Sequence, residues 1–447
     1  MAIIEKTLFS WQELYGSSDL ERLALVLETL DDEALMRVLE KERERGRDDY
    51  PVRAVWNSIL AGVVYQHPST ASLRRELLRN AELRQACGFD LSRGMDAVPA
   101  EWVYSRFLKK LLRHGEEIMG ICERMVERLQ EELPDYGKYL ATDAKALRSY
   151  GRPTKKRGRD GRRETDADWG CKTYEGKRED GTAWREVKKW FGFKLHLLVD
   201  SAYELPIGWD VTRGSVSEHA RLKGLIEGVE RRHAGLLDRA EELSADKAYD
   251  SAGHNTWIWR EYGIKPVIAV RDMWKDGEET RPLWPERAEN IVYDAQGGVY
   301  CHCPETGERR DMAYMGFEKD RETLKYRCPA AAYGLECKGR GGCGRNRGSG
   351  YGRVVRIGLD LDRRIFTPIA RSSYAWQRSY DRRTAAERVN SRLDVSFGFE
   401  RHFIRGLAKM RLRVDIAMVV MLTMAMGRIR QKRHEEMRSL VGRARAA

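Results

Sequence analysis

Apolar residues recur every three or four positions through the first part of the chain, the spacing of helices packed along one side. LERLALVLETL (20–30) reads as a helix that Ser18-Asp19 can cap, and Asp31-Asp32 can open the next. Further on, Trp102, Val103, Phe107, Leu108, Leu111 and Leu112 share one helical stripe, as do Ile118, Ile121, Met125 and Leu129. No strand-like alternation of any length runs through residues 1–136, so this stretch is predicted to be an all-helical domain.

The pattern changes at Gly137. Lys138 to Thr142 is a short strand candidate ending at Asp143, and a glycine-rich basic loop is predicted from there to about Asp180. FGFKLHLLVD (191–200) and LPIGWDVTRG (205–214) read as a hairpin, and Ser215 and Glu218 have capping-box spacing before the helix HARLKGLIEGVERR. Strands EELSAD (241–246) and IKPVIAV (264–270) flank the helix SAGHNTWIWREYG. The order strand, hairpin, helix, strand, helix, strand predicts a mixed α/β sheet with crossover helices over 137–270. From Arg271 to Asp362 the regularity breaks into short strand-like pieces rich in Gly, Trp and Cys, as in an inserted, β-rich subdomain. Helical periodicity returns over 363–447, in Thr384–Ser396 and in Gly406–Arg430, whose apolar face carries Ile416, Val419, Val420, Leu422 and Met426.

Charge narrows the range of partners. The chain of 447 residues carries 81 Lys+Arg against 69 Asp+Glu, a formal +12, which favours a polyanion. Nine basic residues and one acid lie between Ala144 and Arg163, with Lys145, Arg148, Lys155, Lys156 and Arg157 the candidates for phosphate contact. Arg74, Arg75, Arg79 and Arg84 are the corresponding candidates among the N-terminal helices, with a solvated helix face as the alternative. The longest apolar run, Ile416–Met426, is eleven residues, about half of the roughly 20 that a bilayer crossing needs. The N-terminus lacks a signal-peptide core, so a cytoplasmic location is expected. Cysteines there stay reduced. Cys301, Cys303, Cys328, Cys337 and Cys343 fall in the insert, where four thiolates could hold a structural zinc or all five could remain free thiols.

Three acids carry the candidate chemistry. Asp143 and Asp246 each end a strand, where α/β sheets place their reacting groups, though a solvated turn would use the same residue. Tyr380, Arg383 and Glu387 are spaced i, i+3, i+7, so one helix would bring a phosphate ligand, a phosphate clamp and a metal ligand onto one face. An ordinary surface Arg383–Glu387 pair has the same spacing. Two divalent cations about 3.5–4 Å apart need convergent hard oxygens of this kind.

Together these stretches resemble the DDE transposases of bacterial insertion sequences, in the branch with a long insertion before the glutamate. YLATDAKAL is similar to the family's first aspartate strand, FGFKLHLLVDSAYELPIGWDVTRGSVSEH to its hairpin, and SADKAYDS to its second aspartate signature. Tyr380-x-x-Arg383-x-x-x-Glu387 resembles its Tyr-Arg-Glu helix, and PVRAVWNSILAGVVYQHPSTASLRRELLRNAELRQACGF its preceding helical domain. The resemblance implies a ribonuclease H-like core holding two Mg2+ or Mn2+ ions through Asp143, Asp246 and Glu387. It implies cleavage of element ends by water and attack of the freed 3′-hydroxyl on target DNA. Double-stranded DNA carrying terminal inverted repeats would be the partner, a homodimer the working form, and the bacterial nucleoid the setting. Trp274 and Trp284 would stack on an extruded base, as the family's insert is thought to do, or else form the insert's core. His219 could approach the site or sit at a helix surface, and Asp250 would support Asp246 or open the next helix. One position departs: the family's Lys or Arg seven residues after the glutamate is Asp394 here, with Arg388 or Arg392 as substitutes off the Glu387 face. An inactive DNA-binding relative and a structure-specific nuclease are the alternatives.

Overall fold

The computed structural model describes residues 19–43, 49–153, 164–178, 180–271, 273–286, 290–341, 343 and 350–438. Helices α1 (Asp19–Thr29), α2 (Glu33–Arg43), α3 (Val52–Val64), α4 (Thr70–Arg79), α5 (Ala81–Cys87), α6 (Glu101–Leu111) and α7 (Gly115–Glu132) fill the N-terminal segment. Side-chain caps set several starts: Ser69 accepts from the Ser72 amide and Asn80 from the Leu83 amide. Asp32 does more than open a helix, because its buried carboxylate accepts from Trp56 Nε1 at 2.7 Å and pairs with Arg53. The cap expected at Ser18 lies outside the described residues. On α6 the predicted stripe is rotated. Tyr104, Phe107 and Leu111 turn inward and Trp102 stays on the surface under Arg106.

The main sheet follows. Strand β1 (Tyr139–Arg148) pairs in parallel with β5 (Glu242–Ala245), which pairs in parallel with β6 (Lys265–Ile268). On its other side β1 runs antiparallel to β3 (Ala183–Asp200), whose second half also pairs with β4 (Leu205–Arg213). The first half of β3 pairs with β2 (Asp168–Lys177) instead. Two expectations are corrected here. β1 does not stop before Asp143, because β3 is long enough to keep its ladder going through Arg148. The segment expected as loop up to Asp180 contains β2, recruited by the same long strand. A third concerns the cap of α8 (Glu218–Arg232): Ser217 accepts from Ala220, while Ser215 is drawn aside to Asp168. Helix α9 (Ala252–Tyr262) joins β5 to β6, and a short helix α10 (Pro329–Tyr333) lies in the insert.

Side chains alternate across a sheet. On one face Lys194 of β3 meets Glu218 of α8 at 3.1 Å. On the other, Asp143 and Lys145 meet α12 (Thr384–Phe397), the second of three C-terminal helices after α11 (Tyr374–Asp381). The third, α13 (Leu407–Arg430), was expected to show one apolar face. It is buried almost all round from Met410 to Ile429, because α7, α1, α3 and β4 surround it. N-terminal helices, sheet and α13 therefore share a single hydrophobic cluster. The insert has its own, made by Leu283, Ile291, Val299, Leu324, Tyr326, Ile357 and Phe366 between two small antiparallel sheets of four and three strands.

Candidate active site

Register builds the site. Thr142 of β1 faces Ala245 of β5 in the parallel ladder, so the next residue of each strand, Asp143 and Asp246, emerge side by side. Asp246 leaves the strand and turns, its carboxylate accepting from the Ala248 amide at 2.8 Å. Helix α12 crosses this edge and sets Asn390 against Asp143, Nδ2 donating to Oδ2 at 3.1 Å. Glu387, one turn earlier on α12, is half exposed and accepts from Arg383. Burial raises the Asp143 carboxyl above its ordinary value; Lys172 and the Ala144 amide oppose the rise, and the charges of Asp246 and Glu387 add to it. The three acids thus share one electrostatic neighbourhood. Among the described residues no group of three or more His, Cys, Asp or Glu side chains is already closed around an ion-sized space.

The Tyr-Arg-Glu element differs from expectation in one respect. Tyr380 lies near the end of α11 and Arg383 at the start of α12, so a turn at Arg382–Arg383 divides the predicted helix. Both residues of that turn keep helical backbone angles, which preserves the shared face. A stacked column results. Trp376 lies on Tyr380 at 4.8 Å and 11°, Arg383 covers the other end at 5.5 Å, and Arg371 covers Trp376 at 5.3 Å. Arg371 is buried, which pushes its guanidinium down to about 10. It donates to the Arg364 and Ile365 carbonyls.

Asp250 ties the insert to the site. Its fully buried carboxylate accepts from Arg364 Nη2 at 2.5 Å and from the Arg271 amide at 2.9 Å. Arg271 in turn donates through its side chain to the Lys247 and Ala248 carbonyls, directly after Asp246. Arg271 at the start of the insert and Arg364 just past its end therefore grip the turn that carries the second aspartate.

The departure at Asp394 has a structural partner. Lys145, two residues beyond Asp143 and on its face of β1, forms an ion pair with Asp394. Arg388 and Arg392 are not substitutes, for both reach away to Glu204 in the β3–β4 turn, and burial pushes Arg392 down to about 10. Asn390 and the Lys145–Asp394 pair were missed in the sequence reading. The available signal was on the helix, where Asn390 follows Glu387 by three residues and Asp394 by seven.

The other candidates scatter. Arg148 is exposed at the end of β1, and Lys155, Lys156 and Arg157 lie outside the described residues. His219 packs on His254 with ring centres 4.2 Å apart. Trp274 packs on Tyr293 and under Arg281, and both Trp274 and Trp284 border the insert's core. Arg84 is buried on the Leu77 and Leu78 carbonyls, Arg74 donates to Pro99 and Arg79 pairs with Glu76; Arg75 is exposed. The insert's thiols gather loosely: Cys301 feels Cys328, Cys343 and Cys337, and Cys303 lies 4.0 Å from Cys337.

Residues 140–423 match the family described as Transposase DDE domain, and residues 12–110 the family described as Transposase domain (DUF772). The chain belongs to the DDE transposases. The first match runs from β1 into α13 and contains Asp143, Asp246 and Glu387, while the second covers α1 to α5 and nearly all of α6. No curated protein matches the chain. The transposase belongs to an insertion sequence, a mobile element whose enzyme binds DNA. No described helix is long and apolar enough to cross a membrane.

Proposed function

We propose that this transposase cleaves phosphodiester bonds at the ends of its element and joins the freed 3′-hydroxyl to target DNA. Asp143, Asp246 and Glu387 would hold two Mg2+ or Mn2+ ions in a ribonuclease H-like core. The observation that carries this reading is the parallel β1–β5 register, which delivers two aspartates side by side beneath a helix bearing a glutamate. The strand order β4-β3-β1-β5-β6, with one antiparallel and one parallel flank to β1, supports the ribonuclease H-like assignment.

The donor set suits such ions, being entirely carboxylate oxygen with like charges gathered at one edge. Bound there, the ions supply an activated attacking oxygen and a stabilised leaving oxygen. The protein's own groups do the positioning. Asn390 orients Asp143 by donating to one of its oxygens. Arg383 is held above its ordinary value as the Glu387, Tyr380 and Asp143 interactions outweigh its burial, so it stays cationic and can release Glu387 to grip a phosphate. Asp246 is fixed by its own turn and by Arg271 behind it. Two element ends must be held together for joining, so a homodimer is the proposed working form.

Substitutions Asp143→Asn, Asp246→Asn and Glu387→Gln are expected to abolish metal-dependent cleavage of end-bearing duplexes while binding to the same duplexes persists. Normal cleavage by any one of them removes that residue from the site. Joining of a cut end to a second DNA separates this reading from a structure-specific nuclease.

A further inference from the structure

Apart from the charge of Lys172 acting on Asp143, the ribbon made by β2 and the first half of β3 has no role in the reading above. It leaves the sheet at Gly192, which is in register with both Arg148 and Asp168. Two glycines permit that departure. A Cβ on Gly192 would lie 2.1 Å from the Leu147 carbonyl oxygen, and one on Gly170 would lie 2.3 Å from the Trp190 ring. Beyond them the ribbon is open to solvent, with Trp169 56%, Tyr174 38%, Trp184 37% and Val187 45% exposed.

One face is organised around cations. Lys172 and Lys188 stand directly opposite each other in the ladder, and both ammonium groups lie over the Tyr174 ring, 5.9 and 5.1 Å from its centre. Like charges directly across a strand pair are destabilising unless something offsets them. The ring offsets part, and Glu186 reaches Lys188 at 3.8 Å. A DNA phosphate held by each ammonium would offset far more. Position matters as well: the ribbon continues β3, the strand that pairs with β1 from Asp143 to Arg148, so it extends from the strand pair that carries the first aspartate. A two-stranded ribbon fits a DNA groove, and exposed aromatic rings beside lysines suit sugars and bases along a backbone.

We propose that the β2–β3 ribbon is a DNA-gripping arm, in which Lys172 and Lys188 hold backbone phosphates of the duplex beside the bond to be cut. This rests on the DNA-cleaving reading, and the test keeps the two apart. The full chain, a Lys172→Gln/Lys188→Gln pair and a Lys172→Arg/Lys188→Arg pair are titrated with duplex DNA taken from the flanks of the coding region, across a range of salt. Each phosphate contact contributes about 0.9 to the slope of log affinity against log salt, so the glutamine pair is expected to lose about 1.8. The arginine pair should recover it, with thermal unfolding unchanged in both because the positions are exposed. A glutamine pair that keeps both slope and affinity overturns the arm, as does a loss that arginine fails to restore. If the unaltered chain binds these duplexes but never cuts them with Mg2+ or Mn2+, the cleavage reading fails. The slope measurement then still decides the arm.

Discussion

Removing the Asp250 carboxylate is expected to loosen the insert from the turn that follows Asp246, at a cost that can be worked from its contacts. Asp250 is fully buried on its side-chain atoms, while Arg364 is about a fifth exposed, at 21%. Two Arg364 nitrogens and the Arg271 amide converge on Oδ2, at 2.5, 3.2 and 2.9 Å. Breaking a buried ion pair by deleting one partner costs about 3–5 kcal/mol, because the remaining charge is left without compensation. Water can reach Arg364 in part, which places Asp250→Asn near the low end, at about 3 kcal/mol. A cycle of Asp250→Asn, Arg364→Gln and the double variant isolates the pair, with urea unfolding as the assay. A coupling of about 2–3 kcal/mol is expected, since contacting charges do not act additively. Cleavage should fall more than DNA binding does, because Arg271 loses its anchor and with it the hold on the Lys247 and Ala248 carbonyls. A coupling near zero, with either single variant unfolding like the unaltered chain, would refute the clamp.

Lys145→Ala is expected to lower cleavage by tenfold or more, about 1.4 kcal/mol in barrier. Exchange of the pair by Lys145→Asp/Asp394→Lys should recover part of that loss in the same single-turnover assay; no loss on Lys145→Ala defeats the idea. Asp415 lies against Trp209 in α13 and is pushed up to about 6, chiefly by desolvation, with the Trp209 hydrogen bond opposing. Its folded value exceeds the unfolded one near 4, so its contribution to stability is present below about pH 4 and lost as pH rises through 6. Asp415→Asn keeps an acceptor for Trp209, and should raise the melting temperature at pH 8 with the gain fading below pH 5; equal gains at both pH values would contradict this. The insert's cysteines are expected to carry about one zinc per chain by elemental analysis, lost on substitution of Cys301 and Cys328; far less than one in the unaltered protein ends that proposal.

Much of this architecture could be read from the chain because its periodicities are strong. The helices of the N-terminal segment and the 191–214 hairpin announce themselves through spacing alone, and so does the helix that carries Glu387. What escaped was set by partners far away in sequence. β2 contains Trp169, Thr173 and Tyr174 at strand-compatible positions, but with glycines and charges between them only the long β3 makes a strand of it. α13 could not be seen as central, since burial on every side needs three N-terminal helices and a strand of the sheet, all far away in sequence. Glu387 and Asp143 were legible as types, and Asn390 was not, because an asparagine gains meaning only when an aspartate stands 3.1 Å away.

The same logic explains why Asp394 misleads when taken alone. On a helix, a position seven residues after Glu387 faces the strand edge, and a carboxylate there reads as the loss of a cation. Yet β1 alternates, so Lys145 emerges on the same face as Asp143 and meets Asp394 across the gap. Charge balance at a site belongs to the facing pair rather than to either residue: the cation has moved from helix to strand, and the strand that now carries it is the one that carries the first aspartate. That places the ammonium on a rigid element beside the edge proposed to hold the metals, paired with Asp394.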